Sequence, residues 1–70
     1  MDSFFKVWKI AQEKFGLERK VHVDMDEAYI RIYENGNVVV RADGDREDLE
    51  HLYIQAASRL ANWMQLRENT

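Results

Sequence analysis

The stretch from residue 28 to residue 42 organises the rest of the chain, and apolar side chains alternate with polar or aromatic ones over its first part, residues 28–33. Ile30 and Ile32 alternate with polar or aromatic neighbours, as expected of a strand that buries one face. Asn35-Gly36 follows, and then three consecutive valines, which are β-branched and favour a second strand. The pattern therefore predicts a β-hairpin with a tight turn near Asn35-Gly36.

Two turns can join these strands, and they give different registers. A two-residue Asn35-Gly36 turn pairs Ile30 with Arg41, which mixes an isoleucine and an arginine on one face. A three-residue loop over residues 34–36, with Gly36 left-handed at a bulge, gives one apolar face instead. We predict the three-residue loop, because a one-residue slip inverts a strand. Its pairs are Tyr33–Asn37, Ile32–Val38, Ile30–Val40 and Ala28–Ala42.

A preceding strand is predicted over Lys20–Met25, where valines alternate with polar residues. The pairs expected across a short turn at Asp26-Glu27 are Met25–Ala28, Val23–Ile30 and Val21–Ile32. In this pairing the apolar residues of the preceding strand lie on the same side of the sheet as the apolar residues of the hairpin. We therefore predict a three-stranded antiparallel meander.

Two amphipathic stretches flank the strands. The first helix is expected from about Ser3 to Phe15, with the following glycine as a left-handed stop. The second is expected from about Asp45 or Arg46 to Leu66 or Arg67, with Asp45 as its N-cap. We therefore expect a single α+β domain over residues 1–70, of order α-β-β-β-α, with both helices packed on one face of the meander.

The second helix is too long for the sheet. A helix of about 21 residues spans roughly 32 Å, whereas a six-residue strand covers only about 20 Å. Its last turns must overhang, and their apolar side chains need cover from the first helix or from a second copy of the chain. We expect a homodimer, formed through this helix or through the open face of the sheet. The candidate dimer seam is Ile54, Ala57, Ala61, Trp63 and Met64.

Composition narrows the class of protein and its cellular location. The chain is 46% hydrophobic and 33% charged, which is typical of a globular domain, and its net charge of −3 disfavours a general nucleic-acid binder. It has no cysteine and no apolar run of membrane-spanning length. We expect a cytoplasmic protein.

Two surfaces are candidate partner sites. Aromatic and basic residues share the predicted open face of the sheet, where they suit a protein interface, ordinary cross-strand pairing or, less well, nucleic-acid stacking. These residues are Lys20, His22, Tyr29, Arg31, Tyr33 and Arg41. An acidic rim is expected at one end of the sheet, where it is either a site for a cation or a basic partner, or simply the acids that a helix N-terminus favours. Its residues are Asp24, Asp26, Glu27, Asp43, Asp45, Glu47 and Asp48.

The sequence offers no catalytic constellation. Three serine and threonine side chains are present, and none has a histidine at helical spacing, so no nucleophile with a positioned base is indicated. His51 follows Glu47 by four residues, but such a pair makes no metal site without further ligands. We therefore expect no enzymatic activity, no cofactor and no bound metal.

The order α-β-β-β-α in 70 residues is also that of double-stranded-RNA-binding domains. That family contacts phosphates with a basic start to its last helix, whereas this chain has Asp45-Arg46-Glu47-Asp48 there. The topology agrees and the chemistry does not, and fold alone does not confer function.

The features together favour a small non-enzymatic interaction or regulatory module that dimerises and binds an unidentified protein. Compact acidic chains of this kind suit accessory proteins of bacteria or their phages. A nucleic-acid-binding module that uses the basic and aromatic sheet face is the first alternative. An acidic decoy that occupies a basic site on a partner protein is the second.

Overall fold

The structure is a computed structural model, and it describes residues 2–69. Helix α1 (Asp2–Phe15) leads into strands β1 (Glu18–Val23), β2 (Ala28–Glu34) and β3 (Asn37–Gly44), and a short 3₁₀ turn (Arg46–Asp48) opens helix α2 (Leu49–Glu68). The strands form one antiparallel sheet in the order β1-β2-β3. The predicted fold class is confirmed, with both helices on one side of the sheet.

The core lies between the sheet and α2, because α2 packs on β3 and β2 while α1 packs beside α2. Ala28, Ile30 and Ile32 on the inner face of β2 are buried. Phe4 of α1 meets Tyr53 near the start of α2, and Phe15 meets Trp63 near its end, so the two helices run parallel. The buried core is Phe4, Ala11, Leu17, Ala28, Ile30, Ile32, Val40, Ala42, Leu52, Ala56, Ala57 and Leu60.

The hairpin turn differs from the predicted three-residue loop, which is wrong. Glu34 pairs with Asn37, so the turn has two residues, and both Asn35 (φ +51°) and Gly36 (φ +83°) are left-handed, as a type I′ turn requires. A bulge then restores an apolar inner face. Val38 pairs with Tyr33, the ladder skips Val39, and Val40 pairs with Ile32. The pairs that follow are Arg31–Arg41 and Ile30–Ala42.

The predicted register of β1 is also wrong, by two residues. The observed pairs are Val23–Ala28, Val21–Ile30 and Arg19–Ile32, and residues 24–27 form the turn. Because the displacement is even, Val21 and Val23 keep the predicted face. The change puts Arg19 on that face and leaves Met25 in the turn, where it is exposed.

The helix ends follow from local chemistry. Gly16 is left-handed (φ +64°) and donates its N–H to the Gln12 carbonyl at 2.9 Å, as predicted for the stop of α1. Asp48, rather than the expected Asp45, caps α2 by accepting the N–H of His51 at 3.1 Å. The cap moves because a 3₁₀ turn precedes α2.

Candidate functional site

One face of the sheet is covered by the helices, and the opposite face, here called the open sheet face, carries the basic and aromatic residues noted in the sequence. Strand pairing arranges these residues in rows across the sheet. The rows are His22–Tyr29–Asp43, Lys20–Arg31–Arg41 and Glu18–Tyr33–Val38. All six residues of the predicted partner-binding sheet face therefore lie on one surface, while their binding role stays a prediction.

Tyr29 is the centre of the ordered part of this face. The His22 ring stacks on the Tyr29 ring with centroids 4.8 Å apart and planes 18° apart. The Arg31 guanidinium carbon lies 4.4 Å from the centroid of the same ring, within cation–π distance. Contacts with two neighbours restrict the rotamers of Tyr29 before any partner arrives.

Arg31 is held more firmly than an ordinary surface arginine. Its Nη2 donates to Asp43 Oδ1 at 2.8 Å, and its Nη1 lies 3.2 Å from the Ile30 carbonyl and 3.3 Å from the Ala42 carbonyl. Only 22% of the side chain is exposed. The Asp43 carboxylate counters the charge of Arg31, so the middle cation of its row is already paired.

The turn between β1 and β2 is fixed by Asp24. Its Oδ1 accepts the backbone N–H groups of Asp26 and Glu27, both at 2.8 Å, and its Oδ2 lies 2.7 Å from His22 Nε2. These hydrogen bonds, with that of His22 the largest cause, lower the pKa of Asp24 from 3.8 to about 2. The same residue therefore orders the turn and positions the His22 ring beside Tyr29.

Arg59 of α2 reaches the edge of β3, a contact that sequence reasoning missed. Its Nη1 donates to the Arg41 carbonyl at 2.6 Å, which brings a further positive charge close to the exposed Arg41. Arg59 has the spacing of an ordinary solvent-facing helical residue. No sequence signal identifies this contact, because it depends on where α2 lies over β3.

The residues of the predicted acidic rim do collect at one end of the sheet. Ala28 pairs with Gly44, so the turn over residues 24–27 and the start of α2 lie at the same end. Three of the seven acids are engaged within the chain, Asp24 by His22, Asp43 by Arg31 and Asp48 by the helix cap. The exposed remainder is Asp26, Glu27, Asp45 and Glu47.

One group of three metal-ligating side chains comes together among residues 2–69. Ligand atoms of His22, Asp24 and Glu27 lie within 4.8 Å of one another. The His22 and Asp24 atoms already bond each other, and Asp24 and Glu27 are exposed. We assign no metal to this group.

The predicted dimer seam is divided between core and surface. Ala57 is buried, and Trp63 and Met64 are half-buried against the core of their own chain. Ile54 and Ala61 face solvent. Trp63 and Met64 near the end of α2 thus pack within their own chain, with Phe15 of α1 against Trp63, whereas Leu66 is 69% exposed. Dimerisation through this seam stays a prediction.

The inner side of β1 carries an exposed apolar surface. Val21 is 40% exposed and Val23 is 46% exposed, although both belong to the helix-covered face. The Arg19 guanidinium lies over the rings of α1, 5.0 Å from the Trp8 centroid and 5.4 Å from that of Phe5. The aromatic side of α1 therefore contacts Arg19.

Comparison of the chain with protein-family models, with curated proteins and with solved structures finds no match. Neither helix in residues 2–69 combines the length and the apolar character needed to span a bilayer. No pocket is found in the same described range.

Proposed function

We propose that this chain is a non-enzymatic protein-interaction module and that the open sheet face binds its protein partner. The observation that carries the proposal is the pre-ordered arrangement of Tyr29 and Arg31. Tyrosine and arginine are enriched among the residues that dominate binding energy at protein interfaces. Side chains already held in place lose less conformational entropy on binding, which favours affinity.

A nucleic-acid partner is supported less well. The row Lys20–Arg31–Arg41 is cationic, and aromatic rings lie beside it, as single-strand binding requires. However, Asp43 pairs with Arg31, and the chain as a whole carries a net charge of −3. Counterion release, the main source of nucleic-acid affinity, needs several unpaired cations along one track.

The cellular location and origin of the chain are proposed on weaker grounds. We propose a cytoplasmic accessory protein of bacterial or phage origin that has a second copy of itself among its partners. The absence of cysteine is compatible with a reducing compartment.

The test compares three baits in affinity capture followed by direct binding of the purified partner. Tyr29→Ala removes the ring that contacts His22 and Arg31, while Ile54→Ala truncates an exposed residue on α2 as the matched control. We expect a partner that wild type and Ile54→Ala retain and that Tyr29→Ala binds about 30-fold more weakly, the loss typical of a hot-spot residue.

Two results would count against this function. The first is a partner that Tyr29→Ala binds as tightly as wild type does. The second is binding to single-stranded RNA or DNA that falls steeply with salt and is abolished by Arg31→Glu, which would favour the nucleic-acid alternative.

A further inference from the structure

Strand β1 is an edge strand, and the apolar side chains on its inner side are incompletely covered. Within residues 2–69, no strand pairs with the outer side of β1. Val21 and Val23 are each close to half exposed. An edge strand with open backbone groups and apolar side chains is a template for pairing with another strand.

The backbone geometry shows which groups that edge presents. Asp24 donates its N–H to the Glu27 carbonyl at 2.9 Å, so its polar groups point toward β2. Backbone groups alternate in direction along an antiparallel strand, and the groups of Arg19, Val21 and Val23 therefore point outward. The outward hydrogen-bonding groups thus belong to the two exposed valines and to Arg19.

We propose that β1 pairs antiparallel with β1 of a second copy of this chain, with His22 on the two-fold axis, to give a six-stranded sheet. This inference rests on the proposed function in one respect, since it specifies how the chain associates with itself. In this register Val21 lies opposite the partner's Val23, and Lys20 lies opposite the partner's Asp24. By symmetry each contact occurs twice, as an isologous interface requires.

Overlap and charge together select this register over those centred on Val23, Val21 and Lys20. With Val23 on the axis, only Val23 lies opposite a β1 residue of the partner, because residues 19–22 lie opposite the partner's turn over residues 24–27. With Val21 on the axis the overlap is longer, but Glu18 lies opposite the partner's Asp24, and like charges in directly opposed positions destabilise a sheet. With Lys20 on the axis, Lys20 lies opposite the partner's Lys20. The His22-centred register places valine against valine within β1 and Lys20 opposite the partner's Asp24. Glu18 then lies opposite the partner's Asp26, which belongs to the turn and not to the strand ladder.

The occupant is a second copy because the strand is complementary to itself. The positive Lys20 and the negative Asp24 lie at equal distances along the chain on either side of His22, so one rotation matches both pairs. The exposed valines form one continuous apolar strip across the axis in the same operation. Dimerisation thereby buries the apolar surface of β1 that α1 leaves exposed.

The first experiment measures the mass of the full chain by light scattering during size-exclusion chromatography, over a dilution series. We expect wild type at twice the 8.4 kDa monomer mass. Val23→Lys places a charge on the strip and should give a monomer at concentrations where wild type is a dimer. Ile54→Lys, at a more exposed position on α2, is the matched control and should remain a dimer.

The second experiment fixes the register by disulfide crosslinking, which is clean because the chain has no cysteine. His22→Cys places two thiols on the axis at a non-hydrogen-bonded pair, where Cα atoms about 4.5 Å apart suit a disulfide. We expect His22→Cys to form a covalent dimer under mild oxidation, and Val21→Cys to remain a non-covalent dimer. Circular dichroism confirms that both variants are folded.

Three outcomes overturn the proposal. A wild type that is monomeric at every concentration removes it without any variant, while leaving the test of Tyr29 and its partner unaffected. A dimer that Ile54→Lys dissociates and Val23→Lys does not would place self-association on α2. Crosslinking of Val21→Cys in place of His22→Cys would refute the register.

Discussion

Trp63 provides the sharpest test of how the end of α2 is covered. Its ring packs edge-on against Phe15 of the same chain, with centroids 5.1 Å apart, and the Arg67 guanidinium lies 5.3 Å from its centroid. Truncation of a fully buried tryptophan to alanine costs about 3–5 kcal/mol. Trp63 is only half-buried, so we expect Trp63→Ala to lower the free energy of unfolding by about 2 kcal/mol.

The assay is urea denaturation followed by circular dichroism. A small domain loses about 1 kcal/mol of stability per molar urea, so the midpoint should fall by roughly 2 M. A domain of this size has a total stability of only about 4–10 kcal/mol, so the loss is a substantial fraction. Ile54→Ala, at an exposed position, should stay within about 0.5 kcal/mol of wild type.

Light scattering supplies the result that would refute this reasoning. If the seam on α2 joined two copies, Trp63→Ala and Ile54→Ala would both halve the particle mass. If instead α1 covers Trp63, the particle mass stays at the wild-type value while the urea midpoint falls.

Two further predictions concern the turns. Asn35→Ala should cost about 1 kcal/mol in urea denaturation because Asn35 is left-handed (φ +51°), whereas Asn35→Gly should not destabilise; a neutral Asn35→Ala would favour a loop with only Gly36 left-handed. The Asp24 carboxyl should titrate with a pKa of about 2 by NMR, and His22→Ala should raise that midpoint, since His22 is the main cause of the lowered value. Because folding lowers this pKa, the stabilisation is complete above pH 3.8 and is lost as the pH falls toward 2; a midpoint unchanged by His22→Ala would contradict the assignment.

The faces of most strand residues were predictable from the sequence, and the registers were not. Val38 is an exception, because the predicted register placed it on the inner face opposite Ile32, whereas it lies beside Tyr33 on the open sheet face. Alternation fixes which side each residue occupies, so Ile30, Ile32 and Val40 are buried as expected. Alternation cannot reveal a displacement of two residues, because such a displacement leaves every side chain on its predicted face. The register of β1 was lost in this way, along with the exposure of Val21 and Val23.

The position of the bulge in β3 could not be predicted from the pattern of apolar residues. Because Val38, Val39 and Val40 are all apolar, the pattern gave no indication that one of them lies outside the ladder. A two-residue turn without a bulge puts Arg41 opposite Ile30, and the bulge removes that conflict because the ladder skips one residue. The preference of Asn35-Gly36 for a type I′ turn is therefore a stronger signal than the apolar character of one face.

The composition of the open sheet face was likewise predictable, but its contacts were not. Alternation placed Tyr29, Arg31 and His22 together, whereas the pairing of Arg31 with Asp43 depends on the true register. That pairing changes the chemistry of the face, because it neutralises a cation that the nucleic-acid alternative requires to be available.

A single displacement along β1 links the fold to the proposed dimer. Had Val21 lain opposite Ile32, the rings of α1 would have met a valine. Val23 and Met25 would then have taken the positions opposite Ile30 and Ala28, where Val21 and Val23 are now 40% and 46% exposed. With Arg19 opposite Ile32 instead, the rings of α1 contact a guanidinium, whose charged end remains in water while its stem covers apolar surface. The valines are consequently displaced toward the turn, beyond the cover of α1, next to the unpaired backbone of β1. Arg19 therefore completes the packing of α1, and the exposed end of β1 presents Val21 and Val23, rather than Val23 and Met25, to a second copy of the chain.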